Sequence, residues 1–352
     1  MNKTVRMTNL ETLNEIYKDP ERKPLFRIIY DCITLFVTYR EVPKHYFSRY
    51  LFKKGATNIK DHLPNKILAK ISHCFNDIRF REVLDNKLYF DLYYRKFNIN
   101  LVKILMFNNK KIFLEEGKII EVKDVDDFNR LLNDIFQKNP GQDSIFIKKT
   151  YASSGGKNIF KLSLNQLKKD HDIVNEIYST VTKSEFIFQD VIKQHADMDK
   201  LNSSSINTLR IDTFMDASGN TDIISGYLRM SVNGSYVDNI SSGGYMVGID
   251  LQRGKLKKLG YSLINISGVK CLSKHPLTNT TFENFVIPFL PQALELVRKA
   301  ARLTPGLRLI GWDVAISESG PVLIEGNSDY DIRGNDMTEE GYLTNPAFRK
   351  IV

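Results

Sequence analysis

The stretch GWDVAISESGPVLIEGNSDYD, Gly311 to Asp331, decides how this chain is read. Two apolar runs flank Ser-Glu-Ser-Gly, which predicts a β-hairpin with residues 317–321 as its loop. Ile316 then faces Val322, and Asp313 falls opposite Glu325. Asn327, two residues beyond Glu325, shares its face. Two carboxylates and an amide oxygen so placed converge, and neighbouring carboxylates repel unless a cation or proton lies between them. Hard oxygen donors suit magnesium or manganese, which makes Asp313, Glu325 and Asn327 candidate metal ligands. The alternative is an edge hairpin with solvent-facing polar residues. The apolar company of Trp312, Val314, Ile316, Val322, Leu323 and Ile324 speaks against it.

Around this hairpin lies a chain of 352 residues, long enough for two or three domains, with 42% hydrophobic and 26% charged residues. That composition excludes an intrinsically disordered protein. Cys32, Cys74 and Cys271 form neither a disulfide framework nor a CxxC zinc pattern, and a reducing, cytoplasmic setting is expected. The N-terminal residues lack the apolar core of a signal peptide. The greasiest run, Phe26 to Tyr39, is interrupted by Arg27 and Asp31 and is expected to be a buried helix rather than a membrane span. The net charge of +9 is uneven: residues 1–110 hold 21 Lys/Arg against 11 Asp/Glu. Such an excess would attract an anionic membrane or a lipid-linked sugar, or be a solvated basic face. No nucleic-acid module signature accompanies it, so no specific nucleic-acid partner is expected.

Residues 8–82 show the three- and four-residue apolar spacing of helices, with Pro64 in the first turn of one. Val83–Ile99 holds another, with Asp85 as its expected N-cap. From Val102 short β runs alternate with helices at Val125–Phe136, about Leu164–Thr180 and about Glu283–Leu303. The expected class is α+β behind a mainly helical N-terminal region, divided at 1–100, 101–193 and 194–352.

Three further motifs carry chemistry. In FIKKTYASSGGKNIF, Phe146–Phe160, a strand delivers Lys148 into a loop of Ser153, Ser154, Gly155, Gly156 and Lys157. Small residues let backbone N–H groups approach phosphate oxygens while lysines supply counter-charge, although a plain hairpin loop would look similar. INTLRIDTF and GYLRMSV place Arg210 and Arg229 on neighbouring strands, able to converge on a phosphate or carboxylate. VDNISSGGYMVGID offers Asn239, Gly243 and Gly244 in a loop that can approach a ligand closely. His45, His62, His73, His171 and His275 are scattered and read as surface or core residues.

The order of these motifs resembles the ATP-grasp superfamily over roughly Leu101–Asp331. The run NTLR, YLRM, VDN, GG, GWDVA, GPVLIEGN is most similar to the sugar-transfer-associated ATP-grasp proteins of bacterial surface-polysaccharide biosynthesis, which resemble glutathione-synthetase and glutamate-ligase enzymes. The resemblance implies an ATP-grasp fold, two α+β subdomains gripping ATP. Lys87 and Lys148 would contact nucleotide phosphates, and Ser153 to Lys157 would form the mobile loop over them. Gln189, Asp190, Val191 and Ile192 would be the hinge whose backbone reads adenine. His195 or Asp197 would contact ribose, where the usual glutamate is absent. Asp313, Glu325 and Asn327 would hold two Mg²⁺ (or Mn²⁺) ions. Arg210 and Arg229 would stabilise the transferred phosphoryl group and a substrate carboxylate, with Asn239, Gly243 and Gly244 lining the acceptor side. The implied reaction is amide formation between carboxylate and amine substrates, small or sugar-linked, through an acyl phosphate. That chemistry asks for positioning and charge neutralisation and for no protein nucleophile. A phosphotransferase of the same fold and a basic membrane- or nucleic-acid-binding protein remain open on the sequence alone.

Overall fold

Four helices precede residue 81, and local sequence sets their ends. Helix α1 (Asn9–Lys18) opens with a capping box: the Thr8 side chain accepts from Glu11 N–H, and Glu11 reaches back to the Thr8 amide at 2.7 Å. Helix α2 (Leu25–Tyr39) follows Pro24 and stops at Arg40, which adopts φ +56°. Helices α3 (Lys44–Ser48) and α4 (Asn65–Phe75) complete the set, with Pro64 capping α4 rather than sitting inside its first turn. The computed structural model describes residues 6–151, 159–231, 243–268, 270–339 and 341–350. Met1–Arg81, Gln194–Pro321 and Gly326–Val352 make one unit, and Glu82–Lys193 with Val322–Glu325 make a second. Among the described residues no helix is long and apolar enough to cross a membrane.

The N-terminal helices share the first unit's interior. Ile16, Ile28, Leu35, Tyr46 and Tyr50 cluster with Tyr227, Met246, Leu263, Ile264 and Ile266. Two buried carboxylates fasten them. Asp31 accepts from Lys23 Nζ at 2.9 Å and the Tyr46 hydroxyl at 3.0 Å. Asp336 pairs with Arg49 and with His62 Nδ1, the latter at 3.2 Å. The expectation for Phe26–Tyr39 needs correcting. The helix forms, but within α2 only Ile28, Asp31 and Leu35 are buried, because one side alone meets the protein.

The second unit begins with α5 (Glu82–Asp85) and α6 (Lys87–Arg95). The N-cap of α6 is Asn86, not Asp85: Asn86 Oδ1 accepts from the Leu88 and Tyr89 amides at 3.0 and 3.3 Å. Strands β1 (Ile104–Asn109), β2 (Ile112–Glu115) and β3 (Lys118–Glu121) form a meander. The β2–β3 turn, Glu116–Gly117, has positive φ at both residues and escaped the sequence reading. Helix α7 (Val125–Lys138), β4 (Ser144–Lys149) and β5 (Ile159–Ser163) follow. The helix expected over Leu164–Thr180 is two, α8 (Leu164–Lys169) and α9 (His171–Val181), broken where Asp170 caps the second by accepting from Ile173 N–H at 3.1 Å. Strand β6 (Glu185–Gln189) closes an antiparallel sheet of order β3-β2-β1-β6-β4-β5. Phe113, Phe128, Leu132, Ile147, Ile177 and Phe188 are part of its core.

The chain then returns to the first unit through α10 (Ala196–Leu201), β7 (Thr208–Met215), β8 (Thr221–Met230), β9 (Tyr245–Asp250), β10 (Lys255–Tyr261) and β11 (Cys271–Leu272). Helix α11 (Leu290–Arg302) begins later than the expected Glu283, because Pro288 and Pro291 disfavour helix in the residues before them. Strands β12 (Leu309–Ser317) and β13 (Gly320–Asn327), then α12 (Arg333–Thr338) and α13 (Pro346–Arg349), end the described chain. The sheet order is β11-β10-β9-β8-β7-β12-β13. The β12–β13 connection is Glu318–Ser319, tighter than the expected 317–321. Helix α11 packs on β7, β8 and β12, and α12 on β8 and β9.

Gly334 in α12 lies so close to Tyr227 that a Cβ there would stand 2.5 Å from the ring's Cζ. Gly334→Ala is therefore expected to lower stability by roughly 1–3 kcal/mol through overpacking. A shift of the urea midpoint to lower concentration at constant slope checks this; an unchanged midpoint would show that α12 moves freely on the sheet.

Candidate functional site

In the second unit four side chains singled out from the sequence share one pocket. Lys148 comes from β4, Gln189 from the end of β6, Lys87 from the first residue of α6 and Glu325 from β13, with Phe90, Asp91, Leu101, Val102, Leu323 and Ile324 around them. Register explains the grouping. Phe146 pairs with Gln189 across β4 and β6, and Lys148, two residues on from Phe146, shares its face. The Lys148 ammonium stands 5.3 Å from the Phe146 ring centre. Lys87 is anchored by its amide, which donates to Thr150 O at 2.8 Å, and its Nζ lies 3.6 Å from Glu325 Oε2. Leu323 N–H donates to Asn100 O at 2.9 Å and fixes the β13 segment in this unit. The space left is about 20 Å³, room for about one water. A phosphate group is larger than this space and enters only if the lining moves.

The expected hinge begins at the same strand end. Asp190 N–H donates to Lys103 O at 2.9 Å, while Asp190 Oδ1 accepts from Val191 N–H and Gln142 Nε2, both at 2.7 Å. The Asp190 and Val191 amides are thus engaged by protein, and Ile192 follows them outside any helix or strand. The two ribose candidates belong to the first unit. His195 caps α10, its Nδ1 accepting from Asp197 N–H at 3.1 Å, and Asp197 pairs with Lys200 at 2.6 Å. Both side chains have structural partners, so geometry does not choose between them.

The first unit brings together a second group. The β7–β12 register sets Asp313 directly opposite Arg210, which in turn faces Tyr227 on β8. Asp313 is 1% exposed and accepts from Arg210 Nε at 2.5 Å and Arg229 Nη2 at 2.8 Å. Burial works against the charge on Arg210, but the Asp313 carboxylate outweighs it and holds the guanidinium ionised well above its ordinary range. Asn327 Nδ2 donates to Gly311 O at 3.3 Å. Gly243, at φ +96°, and Gly244 lead into β9. Ser153, Ser154, Gly155, Gly156, Lys157 and Asn239 lie outside the described residues.

Asp313, Glu325 and Asn327 offer two carboxylates and an amide oxygen, the donor chemistry a hard divalent cation takes. Both carboxylates already face protein cations, Asp313 two guanidinium groups and Glu325 the Lys87 ammonium. Asp313 and Asn327 belong to the first unit and Glu325 to the second, and a cation at either carboxylate would replace the protein cation it now faces. Among the described residues no cluster of three or more His, Cys, Asp and Glu stands ready for a metal.

Sequence reading missed the extension of the arginine group. Asp212, two residues from Arg210 on the same strand, accepts from Ser225 Oγ at 3.0 Å and from the Tyr342 hydroxyl, and Asn335 Nδ2 donates to Ser225 Oγ at 2.6 Å. Its other oxygen is buried with no hydrogen-bond partner among the described residues. Burial pushes the Asp212 carboxyl up to about 7 against the pull of Arg210, and burial likewise carries the Tyr227 hydroxyl to about 12. The alternation Arg-Ile-Asp in β7 and Ser-Gly-Tyr-Leu-Arg in β8 was the available signal, since residues two apart share a face.

A family model described as sugar-transfer associated ATP-grasp matches residues 69–349. Among solved structures the chain is similar to D-alanyl-alanine synthetase A from Vibrio cholerae, at 15% identity and a TM-score of 0.43 over 75% of this chain and 61% of that one. It is similar to carboxyaminoimidazole ribonucleotide synthase from Aspergillus clavatus, complexed with ATP, at 12% identity and a TM-score of 0.44 over 77% and 52%. The biotin carboxylase domain of Hydrogenobacter thermophilus 2-oxoglutarate carboxylase matches at 12% identity and a TM-score of 0.42 over 86% and 51%. The chain thus spans between half and two thirds of these structures' length. No curated protein matches the sequence.

Asp212 supplies a pH test of the first unit. Its carboxyl titrates near 7 when folded against 3.8 ordinarily, so the folded form holds the proton more tightly. Its contribution to stability is full below pH 3.8, falls as pH rises to about 7 and is constant above. Asp212→Asn, which cannot titrate, should therefore gain stability relative to the natural chain between about pH 5 and pH 8. Urea unfolding of both proteins across that range measures the gap; parallel curves would show that Asp212 ionises normally.

Proposed function

The chain belongs to the sugar-transfer-associated ATP-grasp family and has its fold, and we propose that it is an ATP-dependent ligase joining a carboxylate to an amine. The observation that carries this reading is the meeting of Lys87, Lys148, Gln189 and Glu325 in one pocket of the second unit. Two ammonium groups beside a carboxylate suit a polyphosphate: the lysines neutralise its oxygens as Lys87 exchanges Glu325 for phosphate. A divalent magnesium ion held by Asp313, Glu325 and Asn327 would supply further neutralisation of phosphate charge.

In the proposed reaction a substrate carboxylate oxygen attacks the γ-phosphorus of ATP, and the bond to ADP breaks. The acyl phosphate so formed is attacked at carbon by an amine nitrogen, which loses a proton, and phosphate leaves with the bonding pair. Arg210 and Arg229 serve as fixed positive charge for the carboxylate and the transferred group. Asp313 holds both guanidinium groups in place from a buried position. The absence of any required nucleophile fits the chain's scattered histidines. The substrates would be an amino acid and a sugar of a surface polysaccharide such as capsule or O-antigen; the family description supports the link to sugar transfer alone.

The test is ADP release by the full chain with magnesium and ATP, across amino acids and uronic acids, with hydroxylamine present. A carboxylate-dependent ADP signal with hydroxamate formation is expected. Lys148→Ala should lower kcat/KM for ATP by about 10²-fold with an unchanged urea midpoint. A phosphorylated hydroxyl product without hydroxamate would replace the ligase by a phosphotransferase. No calorimetric binding of ATP would remove the nucleotide pocket altogether.

A further inference from the structure

Asp212 is fully buried on the polar face of the larger sheet and forms no ion pair among the described residues. The acids packed around it are matched by cations. Asp313 bonds Arg210 and Arg229, Asp331 bonds Arg333, Asp336 pairs with Arg49 and His62, and Glu339 faces Lys257 at 3.1 Å. Asp212 instead takes two neutral donors on one oxygen, the hydroxyls of Ser225 and Tyr342. Its other oxygen lies against Gly311, where a Cβ would stand 3.2 Å from it, and meets no donor among the described residues. Helix α11 covers β7, β8 and β12 with Ala293, Val297 and Ala300, which offer none. Helix α4 meets Tyr330 and Tyr342 through Ile67, Ile71 and Phe75, while its Lys66, Lys70 and His73 are exposed, as is Asp329 in the Tyr330 loop.

A buried carboxylate with one oxygen unsatisfied and no ion pair favours its neutral form, and this one titrates near 7. Tyr227, Tyr330 and Tyr342 stay protonated through that range, because burial raises each hydroxyl. Arg210 stands close enough to feel the change. It sits two residues from Asp212 on the same strand, and its guanidinium carbon lies 5.9 Å from the centre of the Tyr330 ring, against which the open Asp212 oxygen also packs. With Asp212 neutral, an anion approaching the arginines meets no opposing charge from it. With Asp212 ionised, the anion meets a negative charge that burial leaves little screened.

We propose that Asp212 is a positioning residue that acts through Arg210: its proton sets the affinity of Arg210 and Arg229 for an anionic group, high with the proton on and low with it off. This rests on the ligase reading for the role of the arginines as the anion site. Sulfate is the probe, since its charge stays constant between about pH 6 and pH 8 while Asp212 ionises. Its dissociation constant is read from the arginine Nε–H resonances of the full chain. The natural chain should bind sulfate about fivefold or more tightly at the lower pH. Asp212→Asn should bind equally at both, near the natural chain's value at the lower pH. Arg229→Gln should weaken sulfate binding about tenfold or more. Should a variant misfold, the natural chain decides: saturating sulfate must raise the midpoint of the aspartate carboxyl ¹³C titration near 7, because the coupling is reciprocal. Equal affinity at the two pH values, an equal pH slope in Asp212→Asn, or an unmoved ¹³C midpoint would overturn the role of Asp212. Unchanged binding in Arg229→Gln would overturn it together with the anion role of the arginines. None of these measurements needs ATP turnover, so a negative hydroxamate result marks failure of the ligase reading separately.

Discussion

One buried carboxylate organises the larger sheet. Asp313 is almost fully removed from water and bonded to guanidinium groups from two neighbouring strands. Leaving any of the three without its partner would strand a charge in the interior, at a cost of about 3–5 kcal/mol. The register of β7 on β12 is therefore chemically marked as well as sterically fixed. A slip by one residue would turn Arg210 to the opposite face, among the side chains of Leu209 and Ile211. Because Arg210 also faces Tyr227 in the β7–β8 register, the same constraint runs across three strands.

That polar sheet face is closed from above by residues far along the chain. Tyr342 and Asn335 reach Asp212 and Ser225, and Gly334 permits the close approach to Tyr227. The next residues along α12 tie the face to the N-terminal helices, since Asp336 pairs with Arg49 and His62. The arginine group thus rests on buried hydrogen bonds and close packing that lead to a charge pair with the first third of the sequence. The second unit is held together by another route, an aromatic core in which Phe113 and Phe128 pack against Phe188.

How much of this was legible in the sequence depends on the range of the interaction. The β12–β13 hairpin, the arginine strands and Lys148 follow from local alternation, which has a period of two and needs no partner to be read. Errors arose where a non-local or single-residue choice decided. Pro288 delayed α11, Asp170 split a helix by capping, and Asn86 displaced Asp85 as a cap because its amide oxygen reached two backbone donors. For Asp313 the sequence reading weighed Glu325 as partner; the structure gives it Arg210 and Arg229, which come from strands about a hundred residues away. Pairing of that kind leaves no periodic trace, whereas the matching alternation of Arg210 with Asp212 did.

The same distinction refines what the basic first third means. Its excess of 21 cations over 11 acids suggests a broad positive field. Several of those cations are consumed internally: Lys23 by Asp31, Arg49 by Asp336, Lys53 by Asp19 and Lys87 by Glu325. Two of these four acids, Asp336 and Glu325, come from the far end of the chain, so part of the apparent imbalance between the halves is cancelled by folding. The cations left outside are spread along the first third, from Arg27 and Arg40 to Lys66, Lys70, Lys96 and Lys103, with exposed acids such as Glu11 and Glu15 among them. A field of that form falls off within about a Debye length, roughly 8 Å at physiological salt. The basic first third therefore acts at short range, group by group, rather than as one positive surface.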